Sequence, residues 1–144
     1  MSEVKIQSDI TRKFSELYPL KRGQLFHVSN ERNNKIQAFQ ARSIGIFPGV
    51  SDFIYFDKFH PRENGTPCVL IVGIEVKEPG SRHEVDKVER QVDWGEILES
   101  QGGVWRLCRT TEEAISCTEL NFKGLTTKEV REMLKSVKTK TIKF

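Results

Sequence analysis

The sequence predicts a small α/β domain in which helices cover a mixed β-sheet. Helical and strand patterns follow each other in the order helix, three strands, helix, strand, helix, helix. There is no internal repeat and no low-complexity linker, so the 144 residues predict a single domain. We expect the core over about residues 3–115 and a basic helical extension over about residues 120–144.

The first half of the chain predicts one helix and three strands. Residues 3–18 are amphipathic, with Ile6, Ile10, Phe14 and Leu17 on one stripe. The segments "QLFHVS", "DFIYF" and "CVLIVGIEVK" have the β-branched and aromatic content of strands. A polar loop with an Asn-Gly pair separates the last two, which predicts that these strands pair antiparallel.

The second half is predicted to be mainly helical. Residues 83–100 follow a helical pattern, and the strand "VWRLC" comes after them. Two capping boxes open two further helices, Thr110 with Glu113 and Thr126 with Glu129. From Lys123 to Phe144 the chain carries seven basic and two acidic residues. This charge is compatible with a polyanionic partner, but on its own it predicts a solvated helix and a frayed terminus.

Composition indicates a soluble protein of a reducing compartment. There is no apolar run long enough to cross a bilayer, and the N-terminus lacks the features of an export signal. Cys68, Cys108 and Cys117 are an odd number and form no C-x-x-C pair, which is typical of reduced thiols. We therefore expect a cytoplasmic protein of bacterial or phage type, without a membrane partner.

The strand "CVLIVGIEVK" ends in two charged residues that point the same way. Because strand side chains alternate between faces, Glu75 and Lys77 share a face with Gly73, which leaves that face open just before the charges begin. Burying a carboxylate and an ammonium is costly unless they are paired. The pattern therefore indicates either a functional site or an ordinary ion pair where the strand enters water.

A second acidic residue, Asp52, stands at the start of "DFIYF", directly after the glycine-containing turn "FPGVS". If the two strands pair, Asp52 and Glu75 meet at one edge of the sheet. Two carboxylates on rigid strands suit Mg²⁺ or Mn²⁺, which would lower the pKa of a bound water and screen a phosphodiester. Lys77 would orient that water or stabilise charge on the phosphoryl oxygens. This set predicts metal-dependent hydrolysis of phosphodiesters.

The ordered segments "PGVSD", "IEVK", a helix with a glutamine, and "GGVWRL" resemble the VRR-NUC branch of the PD-(D/E)XK nuclease superfamily. "FHVSNERN" and "SEVKIQSDI" are similar to that branch's His/Asn-containing segment and first helix. The resemblance implies a restriction-endonuclease-like core and DNA cleavage to 5′-phosphate and 3′-hydroxyl ends. It implies that Asp52 and Glu75 bind the metal, that Lys77 is the catalytic lysine, and that Gln91 supports the site.

Six further assignments are less direct. Glu3 is predicted on the buried face of the first helix, where it would be an extra ligand to a metal or to water. The alternative is an exposed glutamate that interacts with the helix dipole at the start of the helix. Gln91 lies in an apolar helical stripe, where its amide needs a partner in the site or in nearby backbone. The residues considered for DNA contact are His27 and Asn30, from the resemblance, and Arg82 and Lys87, which would touch phosphates or form a solvated helix face.

The sequence therefore predicts a DNA endonuclease that depends on Mg²⁺ or Mn²⁺. The resemblance favours branched DNA, such as a four-way junction, as the substrate. Cutting both strands would favour a symmetric homodimer. Two alternatives remain open: a catalytically inactive DNA-binding module with the same fold, and an interaction protein whose Glu-Lys pair is structural.

Overall fold

The computed structural model describes residues 2–29, 40, 43, 45, 47–59 and 65–144. The helices in these ranges are α1 (Glu3–Leu17), a short 3-10 helix (Pro19–Lys21), α2 (Val85–Ser100), α3 (Thr111–Thr118) and α4 (Thr127–Ser136). The strands are β1 (Leu25–His27), β2 (Phe53–Phe59), β3 (Cys68–Val76), β4 (Arg82–Glu84), β5 (Val104–Cys108) and β6 (Thr141–Lys143). Among the described helices, none has the length and apolar character needed to cross a membrane.

Four strands form a mixed sheet in the order β1-β2-β3-β5. The β1–β2 and β2–β3 pairs are antiparallel, whereas β3 and β5 run parallel and are joined through α2. β4 and β6 form a separate two-stranded antiparallel sheet. The mixed sheet between helices confirms the predicted α/β class, and the β2–β3 register confirms the predicted antiparallel pair.

Each face of the four-stranded sheet has its own apolar core. On one face, α1 and α3 cover the even-numbered positions of β3; the buried residues there include Ile10, Phe14, Tyr55, Val72, Ile74, Val76 and Cys117. On the other face, α2 and α4 cover β5; the buried residues there are Val88, Val92, Trp105, Leu107, Val130, Ile142 and Phe144. Glu75 belongs to this second face, because alternation separates it from Ile74 and Val76.

Helix starts follow the predicted capping with one difference. Thr126 and Glu129 form the full reciprocal box at the start of α4. At α3, the Thr110 hydroxyl accepts the Glu113 N–H at 3.2 Å, but the Glu113 carboxylate accepts the N–H of Arg109 at 3.0 Å instead of that of Thr110. The start of α3 is therefore capped by only half of the predicted box.

Three predictions about the chain ends and helix boundaries were wrong. Residues 82–84 are a strand, and α2 begins only at Val85. Leu17 is exposed, because α1 ends there and the chain turns into the 3-10 helix. The C-terminus is not frayed: β6 pairs with β4, and both Ile142 and Phe144 are buried. These two apolar side chains alternate with exposed Lys143, which is the pattern of a strand with one covered face.

Gly95 in α2 allows the helix to lie directly on the indole of Trp105, since a Cβ at this position would be 2.7 Å from the ring. Glycine to alanine inside a helix ordinarily stabilises a protein by about 0.5–1 kcal/mol. Here we expect the opposite, because the extra methyl overpacks the core: Gly95→Ala should lower the free energy of unfolding by about 1–3 kcal/mol. Urea denaturation followed by circular dichroism measures the difference.

Glu99→Ala, on the exposed side of the same helix, is the control and should change stability by no more than about 0.5 kcal/mol. A Gly95→Ala protein as stable as the wild type would contradict the close packing of α2 on Trp105.

Candidate active site

The loop that carries Asp52 is held against α2 by its glycine. Gly49 has φ of +90°, and a Cβ there would lie 2.5 Å from the carbonyl oxygen of Arg90. Only glycine tolerates both the backbone conformation and this contact. The turn that the sequence pattern marked before Asp52 therefore packs its backbone on the turn of α2 that precedes Gln91.

Asp52 is anchored to the end of β3. Its Oδ2 accepts the backbone N–H of Val76 at 2.7 Å. Val76 stands between Glu75 and Lys77, so the bond brings the Asp52 carboxylate to the part of β3 that carries both charges. The predicted meeting of Asp52 and Glu75 at one edge of the sheet is therefore present.

Glu75 and Lys77 form an ion pair inside the protein. Lys77 Nζ lies 3.3 Å from Glu75 Oε1, and each residue is only 1% exposed. The backbone N–H of Lys77 donates to the carbonyl of Cys108 at 3.0 Å, so the chain stays beside β5 past the end of β3. The alternative of an ordinary ion pair at a solvated strand end is wrong, because helix and neighbouring strands cover this end.

The face beside these charges is filled, not open. A Cβ at Gly73 would lie 2.8 Å from Ser51 Oγ, 2.9 Å from the Trp94 ring and 3.1 Å from Leu98. The prediction that Gly73 leaves this face of the sheet open is therefore wrong. Glycine here lets α2 and the Asp52 loop close over the sheet next to Glu75.

Burial sets the electrostatics of the site. The pKa of Glu75 is well above its ordinary value, first because the side chain is desolvated and second because Asp52 repels its negative charge. Lys77 acts in the opposite direction and lowers the pKa of Glu75, but its effect is smaller than that of desolvation. Two carboxylates held this close favour a proton or a cation between them.

Three buried side-chain oxygen atoms in this region receive no hydrogen bond from a donor group among the described residues. They are Glu75 Oε2, Gln91 Oε1 and Ser51 Oγ. Buried polar oxygens without a partner are rare and costly. Because oxygen atoms are the ligands that Mg²⁺ and Mn²⁺ prefer, these atoms fit a hard divalent cation or its water ligands.

The carboxylate set is small. Within the described part of the chain, no group of three or more His, Cys, Asp and Glu side chains is arranged to hold a metal ion. Glu3, in the first turn of α1 and half-buried, is thus not brought into such a group with Asp52 and Glu75. Among the described residues, the acidic part of the site therefore consists of Asp52 and Glu75.

Gln91 lies in the apolar stripe that helical periodicity predicts for it. It is 7% exposed and lies on the buried face of α2 with Val88 and Gly95. This confirms the predicted apolar surroundings of its amide. Since Gly49 packs on the backbone at Arg90 and Gln91, the helix that carries Gln91 and the loop that carries Asp52 are in direct contact.

The residues considered for DNA contact are scattered. His27 pairs with Phe53, with ring centroids 5.3 Å apart, and register places it on the sheet face opposite to Glu75. Asn30 lies outside the described residues. Arg82 is exposed on β4, and Lys87 is exposed in the first turn of α2. The structure therefore brings Arg82 and Lys87 to the end of the sheet that carries Lys77, whereas His27 lies on the opposite face.

His83 is a further neighbour of the site, and in the sequence it stands with Arg82 and Lys87 after the Glu-x-Lys strand. Its Nε2 is 2.7 Å from Ser81 Oγ, and its ring stands 6.0 Å from that of Phe144. The pKa of His83 falls to about 4, because the ring is buried and because Lys77 and Lys87 carry positive charge nearby. The His83 ring is therefore neutral at physiological pH. The strand pairing of β4, which places it there, has no local signal in the sequence.

In comparisons with known proteins, no family model, no curated protein and no solved structure matches this chain. The resemblance to VRR-NUC nucleases thus stays a prediction from the quoted motifs, and the site is interpreted from its own geometry.

The raised pKa of Glu75 predicts a pH-dependent stability. The folded protein keeps the proton of Glu75 to a higher pH than the unfolded chain does, because Glu75 in the unfolded chain has its ordinary pKa of 4.5. The stabilisation by protonated Glu75 is complete below pH 4.5 and is lost as pH rises through the raised pKa. Glu75→Gln cannot ionise, so its unfolding free energy should gain on the wild type by up to roughly 1.4 kcal/mol per pH unit between pH 4.5 and the raised pKa.

Denaturant unfolding in EDTA at several pH values between 4 and about 8 measures this difference. Glu84→Gln, at an exposed position of β4, is the control and should show no such trend. A Glu75→Gln advantage that stays constant or shrinks as pH rises would contradict the repulsive, buried setting of Glu75.

Proposed function

We propose that this protein is a divalent-metal-dependent DNA endonuclease whose active site contains Asp52, Glu75 and Lys77. The single observation that carries the proposal is the placement of two carboxylates and a lysine in one cluster at the adjoining ends of β2 and β3, with Glu75 and Lys77 buried. The order Asp, then Glu-x-Lys, is the pattern that the resemblance to VRR-NUC nucleases associates with metal binding and catalysis.

The energetics of the cluster support a role in chemistry more than one in stability. Repulsion between Asp52 and Glu75 and the desolvation of Glu75 both oppose folding. An apolar pair of similar volume would avoid these costs. Destabilising arrangements of charge are a common feature of functional sites, where activity rather than stability is selected.

The proposed cofactor is Mg²⁺ or Mn²⁺, and Asp52 and Glu75 would hold it. Mg²⁺ is commonly bound through one or two carboxylates together with phosphate oxygens of the substrate, so two acidic residues suffice. The bound cation would lower the pKa of a water molecule and screen the negative charge of the phosphodiester. Gln91 would contribute its unpartnered Oε1 as a hydrogen-bond acceptor for a water in the site.

Lys77 would supply positive charge at the reacting phosphate. Its ammonium group has three donors, and the contact with Glu75 Oε1 uses one of them. The remaining donors can orient the attacking water or stabilise charge on the phosphoryl oxygens. Because Asp52 is only half-buried while Glu75 and Lys77 are covered, the phosphate is expected to approach from the Asp52 side.

The proposed substrate is DNA, with branched DNA such as a four-way junction as the favoured form. We further propose a cytoplasmic location. Cys108 and Cys117 are free thiols with their sulfur atoms 3.9 Å apart in the core, an arrangement that suits a reducing compartment.

Cleavage by purified protein tests the proposal directly. Labelled single strand, duplex, flap and four-way junction would be incubated in EDTA, Mg²⁺ or Mn²⁺ and separated on denaturing gels. We expect metal-dependent cutting that falls by about 100-fold or more in Lys77→Ala, because the positive charge at the phosphate is lost. Asp52→Asn should also lose cutting while it keeps an oxygen for the Val76 N–H.

Lys58→Ala is the matched control, since Lys58 is an exposed lysine at the far end of β2 from Asp52. Thermal melting provides a second readout: Mn²⁺ should raise the Tm of the wild type but not that of Asp52→Asn. Folded wild-type protein that cuts none of the four DNAs in either metal would exclude the nuclease.

A homodimer would allow both strands to be cut, and exposed apolar residues support it. On the face that carries Glu75, four large side chains of β1, β2 and β3 are exposed: Phe26, Phe56, Val69 and Ile71. A contiguous exposed apolar patch is typical of an interaction surface, and a second copy of the chain is the partner that two-strand cleavage requires.

Size-exclusion chromatography with light scattering checks this. We expect about twice the chain mass of 16.6 kDa, and the monomer mass for Phe56→Glu, because a charge in the interface is costly. Phe59→Glu is the control, since Phe59 is also exposed on β2 but on the opposite face. Wild-type protein that stays monomeric at high micromolar concentration would exclude the homodimer.

The runner-up function is a DNA-binding module without turnover. The burial of Lys77, which is 1% exposed, favours this alternative, because a catalytic ammonium must reach the phosphate. It predicts mobility shifts with the same DNAs, no cutting in Mg²⁺ or Mn²⁺, and unchanged binding in Lys77→Ala.

A further inference from the structure

The two-stranded sheet β4–β6, here called the ribbon (Arg82–Glu84 with Thr141–Lys143), presents like charges side by side. Arg82 and Lys143 are directly opposite in the antiparallel register, and both are exposed. Like charges on directly opposite strand positions destabilise a pair. Among the described residues, the salt bridges include neither of these two side chains.

Two further lysines, Lys138 and Lys140, lead into β6 and are exposed. On the side of the ribbon that carries Arg82 and Lys143, the acidic residue is Glu84, which lies opposite Thr141 and not opposite a basic residue. Among the described residues, none of these four basic side chains forms a salt bridge, and uncompensated positive charge is the electrostatic feature of a surface that meets an anion.

The ribbon is firmly attached to the domain. Ile142 and Phe144 are buried, and the Phe144 N–H donates to the carbonyl of Ser81 at 2.9 Å. At the other end, the Val85 N–H donates to the carbonyl of Lys140 at 2.9 Å. The exposed cations therefore project from a backbone that is fixed relative to α2 and to the end of β3.

The ribbon also stands next to the candidate active site. A tight turn, in which the Ser81 N–H donates to the Glu78 carbonyl at 3.1 Å, joins Lys77 to β4. The side chain of Lys143 lies over this turn, since a Cβ at Gly80 would be 3.9 Å from its Cε. On the inner face of the ribbon, His83 is close enough to Lys77 and Asp52 to respond to both charges.

We propose that Arg82 and Lys143 bind the phosphate backbone of the DNA strand that flanks the candidate active site. This inference rests on the proposed nuclease function for its choice of DNA as the anion. It assigns a role to the C-terminal segment, which the resemblance to VRR-NUC nucleases does not cover. Phosphates placed between the two side chains would remove their mutual repulsion and would position the backbone beside Asp52.

Binding in the absence of metal separates the ribbon from catalysis. Fluorescence anisotropy with a labelled duplex and four-way junction, in EDTA and at several salt concentrations, would compare wild type, Arg82→Ala, Lys143→Ala and the double variant. Each single variant should weaken binding by roughly 3- to 10-fold and lower the slope of log K against log salt by about 0.9. Lys58→Ala removes the same charge from the far end of the sheet and is the control.

Each outcome decides one of the two proposals. If the ribbon variants bind like Lys58→Ala, or if folded wild type binds neither DNA, the ribbon proposal is overturned. If they bind more weakly with a reduced salt slope while wild type cuts no DNA in Mg²⁺ or Mn²⁺, the ribbon proposal stands and the nuclease fails. Unchanged circular dichroism and Tm of the variants would verify that folding is intact.

Discussion

The burial of charge at the end of β3 is the constraint on which the rest of the molecule depends. Glu75 and Lys77 can be covered because they pair with each other, whereas Asp52, which is tied to the intervening Val76 N–H, adds a repulsive charge next to Glu75. Desolvated charges of this kind require close, fixed partners. The two glycines that let α2 and the Asp52 loop approach the sheet, Gly73 and Gly49, provide that closeness.

The two faces of the sheet contribute differently to stability and to the candidate active site. The face covered by α1 and α3 is apolar from Leu70 to Val76 of β3, and it carries a charged residue, Asp57, near the far end of β2. The face covered by α2 carries the charged cluster at one end and exposed apolar side chains such as Phe56 and Ile71 at the other. A strongly packed core on one side can therefore compensate for the costly electrostatics on the other.

Local patterns in the sequence were sufficient for the fold class and for the positions of the central residues. Strand alternation placed Glu75 and Lys77 on one face, and helical periodicity placed Gln91 on the buried face of α2. The depth of burial could not be predicted, because it depends on how α2 lies over Gly73. The β4–β6 pairing could not be predicted either. Three-residue strands are too short to show the alternation of apolar and polar residues, and the two strands are distant in sequence.

The pairing of β4 with β6 has a consequence for the order of folding. β3, α2 and β5 lie close together in the chain and can assemble from nearby segments, whereas β4, which stands between β3 and α2, must wait for a partner that comes after α3 and α4. Closing so long a loop is entropically costly, so contacts of this kind tend to form after the local ones. We therefore expect the central sheet to form while β4 is still unpaired. In that state His83 would not yet be packed on Phe144, and the region next to Lys77 would be the last to become rigid.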